Sequence, residues 1–431
     1  MLKTLEIKNL FDVFDYKIEF KDGLITILTG PNGYGKTTIL KIIDAFASYD
    51  MYYFSTLQFT DIKLEMSEVS SISISKTHEK LLVQSGSDLI GKEILFADIQ
   101  AAIAAATEKG PFDRVDRDHW FDQRTERTYD LQDLIKSGAI VLYTPEKLGY
   151  TFPTTYFIRE QRLVKRSSLS PTARNRQLYY RRRPGYMDPL SETIEDYAQE
   201  LSGQIQHVLT QYSQKAQKFD STFPQRLFDA SQEISEEEFN ARFGKVKAVQ
   251  QSLTKFGLSI TSVDNHPTYR PENAKPLAVY LSDTEHKLAV FHELVERLDL
   301  FTDILNNRRF TFKRVVIDKE CGFKFESRAG HPLPLKELSS GEQQEVILLY
   351  ELLFRANEKS LVLIDEPEIS LHVAWQKAFL DDLSHIVDMQ CINVIVATHS
   401  PQIINEKWEL TIDLEEVGTI ISHEEAPNHD D

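Results

Sequence analysis

Over the first thirty positions, apolar residues recur with partial alternation in LKTLEIK, YKIEF and LITILT, and polar turns separate these stretches. β-branched and aromatic residues at a spacing of two predict short strands. A glycine-rich turn follows. Then Ile39, Leu40, Ile43 and Phe46 fall at helical spacing in TTILKIIDAFASYD and make one apolar stripe. Residues 60–155 mix strand-like and helical stretches, SSISIS, DIQAAIAAATEK and AIVLYTP, and are expected to complete an N-terminal lobe. From 191 to 307 the pattern changes to long polar helices, SETIEDYAQELSGQIQHVLTQYSQKAQKF, SEEEFNARFGKVKAVQQSLTKFG and SDTEHKLAVFHELVERLDLFTDILNN, of roughly 20–30 residues each. Ser191 and Ser235 precede a Glu at the spacing of a helix start. No heptad repeat persists beyond a few turns, which favours a compact helical insertion. Strand character returns in RRFTFKRVVID and CGFKFES. From 335 to 405 helix and strand alternate, as a parallel sheet covered by helices requires. The expected organisation is an N-terminal part over 1–190, the insertion over 191–307 and a C-terminal part over 308–431.

Composition narrows the class. A 41% hydrophobic share with 25 Phe and 17 Tyr in 431 residues supplies a large core, and 27% charged residues with 17 Gly and 16 Pro exclude collagen-like and wholly disordered chains. No window approaches the ~18 apolar residues of a membrane span, and the first residues lack the pattern of a signal peptide. A cytoplasmic location and no membrane partner are expected. Cys321 and Cys391 form no CxxC pair, so neither a disulfide framework nor a cysteine zinc site is expected. The net charge of −17 argues against a surface that is basic all over. It is unevenly spread: residues 159–183 carry nine Lys or Arg around Tyr179 and Tyr180, whereas 413–431 carry seven carboxylates and no Lys or Arg. The basic stretch suits phosphate contacts and base stacking, or capture of an acidic protein, or simply a solvated loop. The acidic tail reads most simply as a solubilising end, with partner docking as the alternative.

Four segments carry chemistry. The strand LITILT runs into GPNGYGKT, Gly30 to Thr37, a phosphate-binding loop in its strand–loop–helix setting. Backbone N–H groups there curve around phosphates, Lys36 reaches the β- and γ-phosphates, and the Thr37 hydroxyl ligates Mg²⁺. In LVLIDEPEISLH an apolar strand ends in Asp365, placed to hold Mg²⁺, and Glu366, placed to orient and deprotonate the attacking water. In LSSGEQQ, 24 residues before Asp365 counted from Gly341, residues Ser339, Ser340 and Gly341 open a helix and offer a second anion site. In NVIVATHSP a buried strand ends at His399, whose imidazole suits a γ-phosphate contact.

In this order the segments resemble the ABC-type ATPases, specifically the SMC, RecF and overcoming-lysogenization-defect class rather than transporter subunits, over residues 1–50 and 310–405. The resemblance implies an α/β fold: an ABC-type P-loop ATPase head with a mixed-β N-terminal lobe, a parallel-sheet lobe and a short helical insertion. It implies ATP and Mg²⁺ as ligands, with Gly30, Asn32, Gly33, Gly35, Lys36, Thr37 and Thr38 on the nucleotide. Two ATP molecules would be sandwiched in a head-to-tail dimer, with Ser339, Ser340 and Gly341 acting in trans. Glu366 would be the general base and His399 the switch histidine. Thr37, Asp365 and, after a middle strand, Gln161 in TTYFIREQRL would serve the metal.

Two departures sharpen the class. The signature reads LSSGE where transporters have LSGGQ, and DEPEISLH has Leu371–His372 where transporters have Leu-Asp. Both look like the ATPases of overcoming-lysogenization-defect nucleases and other anti-phage systems. The 117 residues from 191 to 307 are too few for an SMC coiled coil and hold no CxxC hook. About 30 residues follow THSP, so no TOPRIM nuclease domain is expected in this chain. The reading is similar to stand-alone defence ATPases such as PtuA of Septu, which has an HNH nuclease partner, and AriA of PARIS, which has a TOPRIM partner. It implies an ATPase subunit that forms dimers and larger rings or arcs, a hexamer among them, and controls a separately encoded nuclease effector. A RecF-like DNA repair or DNA-clamping ATPase is the alternative.

Overall fold

The alternating N-terminal stretches form an antiparallel sheet because each buries one face. The computed structural model describes residues 2–421 except 22, 67–70, 87–90, 109–110, 116–118, 124–126, 137–139, 160–188, 259–266, 357–359 and 370. It divides into two units, Met1–Tyr186 with Ala356–Asp431, and Met187–Arg355. In the first unit β1 (Leu2–Leu10) pairs with β2 (Phe14–Glu19). Then come β3 (Ile25–Thr29), α1 (Lys36–Ala47), α2 (Met51–Thr56) and β4 (Asp61–Met66), and β4 pairs with β1 on its other side. β5 (Ile72–Lys76), β6 (Lys80–Ser85) and β7 (Lys92–Leu95) extend this sheet. Leu5, Ile7, Ile62, Leu64, Ile72 and Ile74 point into one core with Ile39, Ile43 and Phe46 of α1.

After α3 (Phe96–Glu108), the strands β8 (Phe112–Arg114), β9 (His119–Asp122) and β10 (Arg127–Asp130) form a small antiparallel sheet, followed by α4 (Leu131–Lys136). The stretch AIVLYTP, expected to be strand-like, is irregular through Thr144 and leads into α5 (Pro145–Leu148). Its alternation correctly marks Ile140 and Leu142 as buried, but a strand also needs a ladder partner. β11 (Thr155–Ile158) closes this part.

The second unit is mainly helical: α6 (Pro189–Asp229), α7 (Glu236–Lys255), α8 (Ala274–Leu288) and α9 (His292–Asp303), which continues as a π-helical stretch, Ile304–Arg309. At 41 residues α6 outruns the expected length and includes Pro224, while the third polar segment is broken between α8 and α9. Ser235 caps α7 by accepting the Glu238 N–H. A hairpin sheet of β12 (Lys313–Asp318), β13 (Gly322–Ser327) and β14 (Pro332–Leu333) precedes α10 (Ser340–Tyr350). The unit ends at Arg355 rather than near 307, because these strands and α10 share the helices' core: Tyr350 stacks on Tyr197 at 4.6 Å, and Phe301 meets Phe323 at 5.6 Å. Gly322, at φ 80°, is required where β13 meets α6. A Cβ there would stand 1.8 Å from the Ala198 carbonyl oxygen.

The chain then returns to the first unit with β15 (Leu361–Asp365), α11 (Val373–Gln390), β16 (Asn393–Ala397), α12 (Pro401–Ile404), β17 (Thr411–Asp413), α13 (Leu414–Val417) and β18 (Gly418–Ile420). A five-stranded parallel sheet runs β11-β15-β16-β3-β17, and β18 joins β2 in the antiparallel sheet. Near-continuous apolar runs such as LVLID, wholly buried, suit a sheet covered on both faces. Asp365 stands opposite Ala397 and Ala397 opposite Leu28, so the loops after β15, β16 and β3 share one edge. In open α/β sheets that carboxyl edge is where ligands bind.

Candidate functional site

The loop after β3 turns on Gly30, Gly33 and Gly35, all at positive φ (137°, 91° and 80°), a path that L side chains rarely adopt. Gly35 is the N-cap of α1, with no side-chain cap and no acidic residue in the first turn. The first turn of α1 thus supplies no side-chain acceptor of its own to these amides, and the helix dipole favours a phosphate there. Asn32 and Gly33 lie exposed at the tip, whereas Lys36 is buried, with its ammonium donating to the Gly30 and Pro31 carbonyls at 2.8 and 3.2 Å. The Tyr16 hydroxyl donates to the Tyr34 carbonyl at 2.7 Å, and Phe14 packs on the Tyr34 ring, so β2 braces the loop.

Thr37 Oγ1 donates to Asp365 Oδ1 at 3.0 Å, bringing together residues 328 positions apart in sequence. Thr38, the next residue of α1, is half-buried. A hydroxyl beside a carboxylate is an oxygen donor set that fits a hard divalent cation such as Mg²⁺. Glu366 follows at φ 46°, in the left-handed region, and its N–H donates to the Ala397 carbonyl at 2.9 Å. His399 Nδ1 lies 2.7 Å from Glu366 Oε2 and 3.2 Å from Glu368 Oε1. Burial, and next the neighbouring Glu368 carboxylate, push the Glu366 carboxyl above its usual range, against the opposing pull of His399 and Lys36.

A family model described as an AAA ATPase domain, AAA_15, matches residues 1–404. The chain belongs to the AAA_15 family. Beyond the family, 72 residues are 42% identical to Protein ea59 of Escherichia phage lambda. That match covers 17% of this AAA_15 chain and spans 14% of the length of ea59. Among solved structures, an SMC head bound to the C-terminal winged-helix domain of ScpA aligns over 97% of this chain and 96% of its own, at 9% identity and TM-score 0.37. The SMC head domain from Thermotoga maritima aligns over 98% and 99%, at 12% identity and TM-score 0.34.

In this AAA_15 domain the loop of residues 30–37, the Asp365–Glu366 pair and His399 come together, while Ser339, Ser340 and Gly341 belong to the second unit. Ser339 is the N-cap of α10 in a full capping box: its hydroxyl accepts the Glu342 N–H at 3.3 Å, and Glu342 accepts the Ser339 N–H at 2.7 Å. Lys313 fixes the same Glu342 at 2.8 Å, and Arg309 meets Glu345 in a buried pair at 3.0 Å. Ser340 is exposed at the first turn and Gly341 half-exposed. Gln161 and nearly all of 159–183 lie outside the described residues, as does the end of the acidic tail. Among the described residues no helix is long and apolar enough to cross a membrane. Sequence reasoning missed Tyr16 and above all Glu368. The repeat of Glu in DEPE was the available signal.

Proposed function

We propose that the chain is a Mg·ATP-dependent ABC-type ATPase in which Glu366 carries turnover and ATP binding drives dimerisation. The observation that carries this reading is the contact of Thr37 with Asp365 at the strand edge where Glu366 and His399 also stand. Lys36 and the first amides of α1 bind the phosphates of ATP. Thr37 and Asp365, with Gln161, would hold Mg²⁺, which supplies charge neutralisation at the β- and γ-phosphate oxygens when bound. Glu366, ionised, orients the attacking water and takes its proton, and His399 contacts the γ-phosphate. Asn32 and Gly33 at the exposed loop tip complete the cradle. Ser339, Ser340 and Gly341 of a second copy close each site, so the full constellation exists only in a dimer.

At the finer level the protein is the ATPase subunit of an anti-phage defence complex that holds a separately encoded nuclease, of HNH or TOPRIM type, in check. The LSSGE and DEPEISLH variants support that class, and the segment 159–183 is its surface for DNA or an acidic phage protein. The test is co-purification of the tagged chain with the products of its flanking genes, then native mass measurement with and without Mg·ATP. A stable complex with a small nuclease is expected, with a stoichiometry that grows in ATP. A lone ATP-dependent dimer that binds DNA ends would replace the defence role with a RecF-like repair or clamping role. Equal ATP affinity in Lys36→Ala would end the ATPase reading itself.

A further inference from the structure

Glu368 has no role in the reaction as set out above, yet it is the more deeply buried of the two carboxylates that face His399. Its side chain is 7% exposed, against 14% for Glu366 and 46% for His399. It lies in the short 3-10 turn Pro367–Ile369 that follows β15. One oxygen, Oε1, gathers three contacts from the loop after β16: the Thr398 hydroxyl at 2.6 Å, the His399 N–H at 3.0 Å and His399 Nδ1 at 3.2 Å. The other oxygen is buried and has no hydrogen-bond partner among the described residues. α11 grips both loops: Gln376 Nε2 donates to the Glu368 and Leu371 carbonyls, and the Ser400 hydroxyl meets Gln376 Oε1 at 3.0 Å.

A serine or asparagine could tie two loops together without burying a charge. A buried carboxylate with one unpaired oxygen is penalised by desolvation, so some further requirement holds it there. The geometry indicates what that is. Nδ1 faces carboxylate oxygens of both Glu366 and Glu368, neither of which has a proton to give when ionised. The tautomer with its hydrogen on Nδ1 satisfies both acceptors at once, and Nε2 is the ring nitrogen turned away from the pair. Without Glu368 the imidazole keeps a single contact, to Glu366, and loses its backbone tether.

We infer that Glu368 is a positioning residue, which fixes the His399 ring and backbone through Oε1 and thereby aims His399 and Glu366 together at the γ-phosphate side of the site. This inference rests on the ATPase reading for its function but not for its geometry. Glu368→Gln keeps an acceptor oxygen where Oε1 stands, and Glu368→Ala removes it.

The experiment compares Glu368→Ala, Glu368→Gln, His399→Ala and the His399→Ala/Glu368→Ala double variant in the full chain. For Glu368→Ala the expected result is a kcat about 10–100-fold lower with KM for ATP little changed, most of the loss being recovered in Glu368→Gln. In the His399→Ala background the Glu368 change should cost nothing more, because the two act as one unit. Equal, additive losses in both backgrounds, or a wild-type kcat in Glu368→Ala, would overturn the inference.

A second measurement needs no turnover. In long-range ¹H–¹⁵N spectra of the histidine rings, with His399 assigned from its loss in His399→Ala, the resonances should report a hydrogen on Nδ1, move in Glu368→Ala and return in Glu368→Gln. An unmoved His399 signal in Glu368→Ala overturns the positioning role even if the chain proves unable to hydrolyse ATP. Absent turnover with a responsive His399 signal would instead count against the ATPase reading alone.

Discussion

Changing Gly322 to alanine should be the most damaging single methyl group that can be added to the second unit. Three quantities set its size. The residue sits at φ 80°, where an L side chain costs about 1–2 kcal/mol. The new Cβ would stand 1.8 Å from the Ala198 carbonyl oxygen and 3.0 Å from the Ser202 nitrogen, so β13 and α6 must separate by more than an ångström to restore ordinary contact. That separation pulls on the bonds that join the two elements there, Ser202 Oγ to the Glu320 and Lys319 carbonyls at 2.7 and 3.3 Å and Gln206 Nε2 to Lys319 at 2.9 Å. With about 0.5–1.5 kcal/mol for each bond, the total reaches about 3–6 kcal/mol. For a unit of this size that is a fall in Tm of about 6–24 °C. Thermal and urea unfolding of the full chain, with amide exchange read over α6 and β13, is the assay.

Gly203→Ala supplies the internal control. It makes the same chemical change in the same unit, inside α6, where the added Cβ meets nothing within 4 Å. It should stabilise by about 0.5–1 kcal/mol. A Gly322→Ala protein that melts within a degree or so of wild type, or a destabilised Gly203→Ala, would refute the reasoning, since one ledger of backbone freedom and steric room produced both signs.

Other outcomes follow from the site. Glu366→Gln should bind ATP with unchanged affinity and accumulate as a closed dimer in native mass spectra, and a monomer at saturating Mg·ATP would remove Glu366 from the base role. Ser340→Arg should block turnover while leaving ATP bound to each subunit, whereas normal turnover would argue against sharing of the site in trans. Because burial and Glu368 raise the Glu366 carboxyl, and only its ionised form accepts a proton, kcat should fall as pH drops through a value above the ordinary carboxylate, about pH 4.3. The same carboxyl favours its neutral form on folding, so its contribution to stability is fullest below its unfolded pKa and is lost as pH rises through the folded one. A pH–kcat profile whose acid limb sits at the ordinary carboxylate value contradicts that placement.

Much of the site could be read from the chain because its parts are short and locally encoded. An apolar run of four or five residues followed by a fixed set of glycines, carboxylates or a histidine specifies a strand end in a parallel sheet, and β3, β15 and β16 form where those runs predict. Glu368 was hidden for the opposite reason. Its partners Thr398 and His399 are 30 and 31 residues away, and only the register of β15 against β16 brings them together. The second unit was legible as helix but not in extent, since hydrophobic spacing gives the face of a helix and not which strands complete its core. The sequence of β12 and β13 says strand equally well in either unit. What assigns them is the aromatic stacking of Tyr197, Phe301, Phe323 and Tyr350, which no local window contains.

The order of strands in the parallel sheet also governs how the protein can be made. β3, which launches the phosphate-binding loop, lies between β16 and β17, with Ile25 opposite Val394 and Ile27 opposite Thr411. A ribosome adding about 5–20 residues per second releases the first partner long before the second, by an interval on the order of 20–70 s. Throughout that time β3, with three aliphatic residues among its five, lacks both of its sheet neighbours, while β1, β2 and β4 to β7, once made, have every partner but β18. Nascent chains are thus exposed to wrong pairing at the very segment on which nucleotide capture depends, and ATP offers no help until synthesis has passed residue 397. Truncated products should for that reason be substrates of chaperones and proteases rather than half-active competitors.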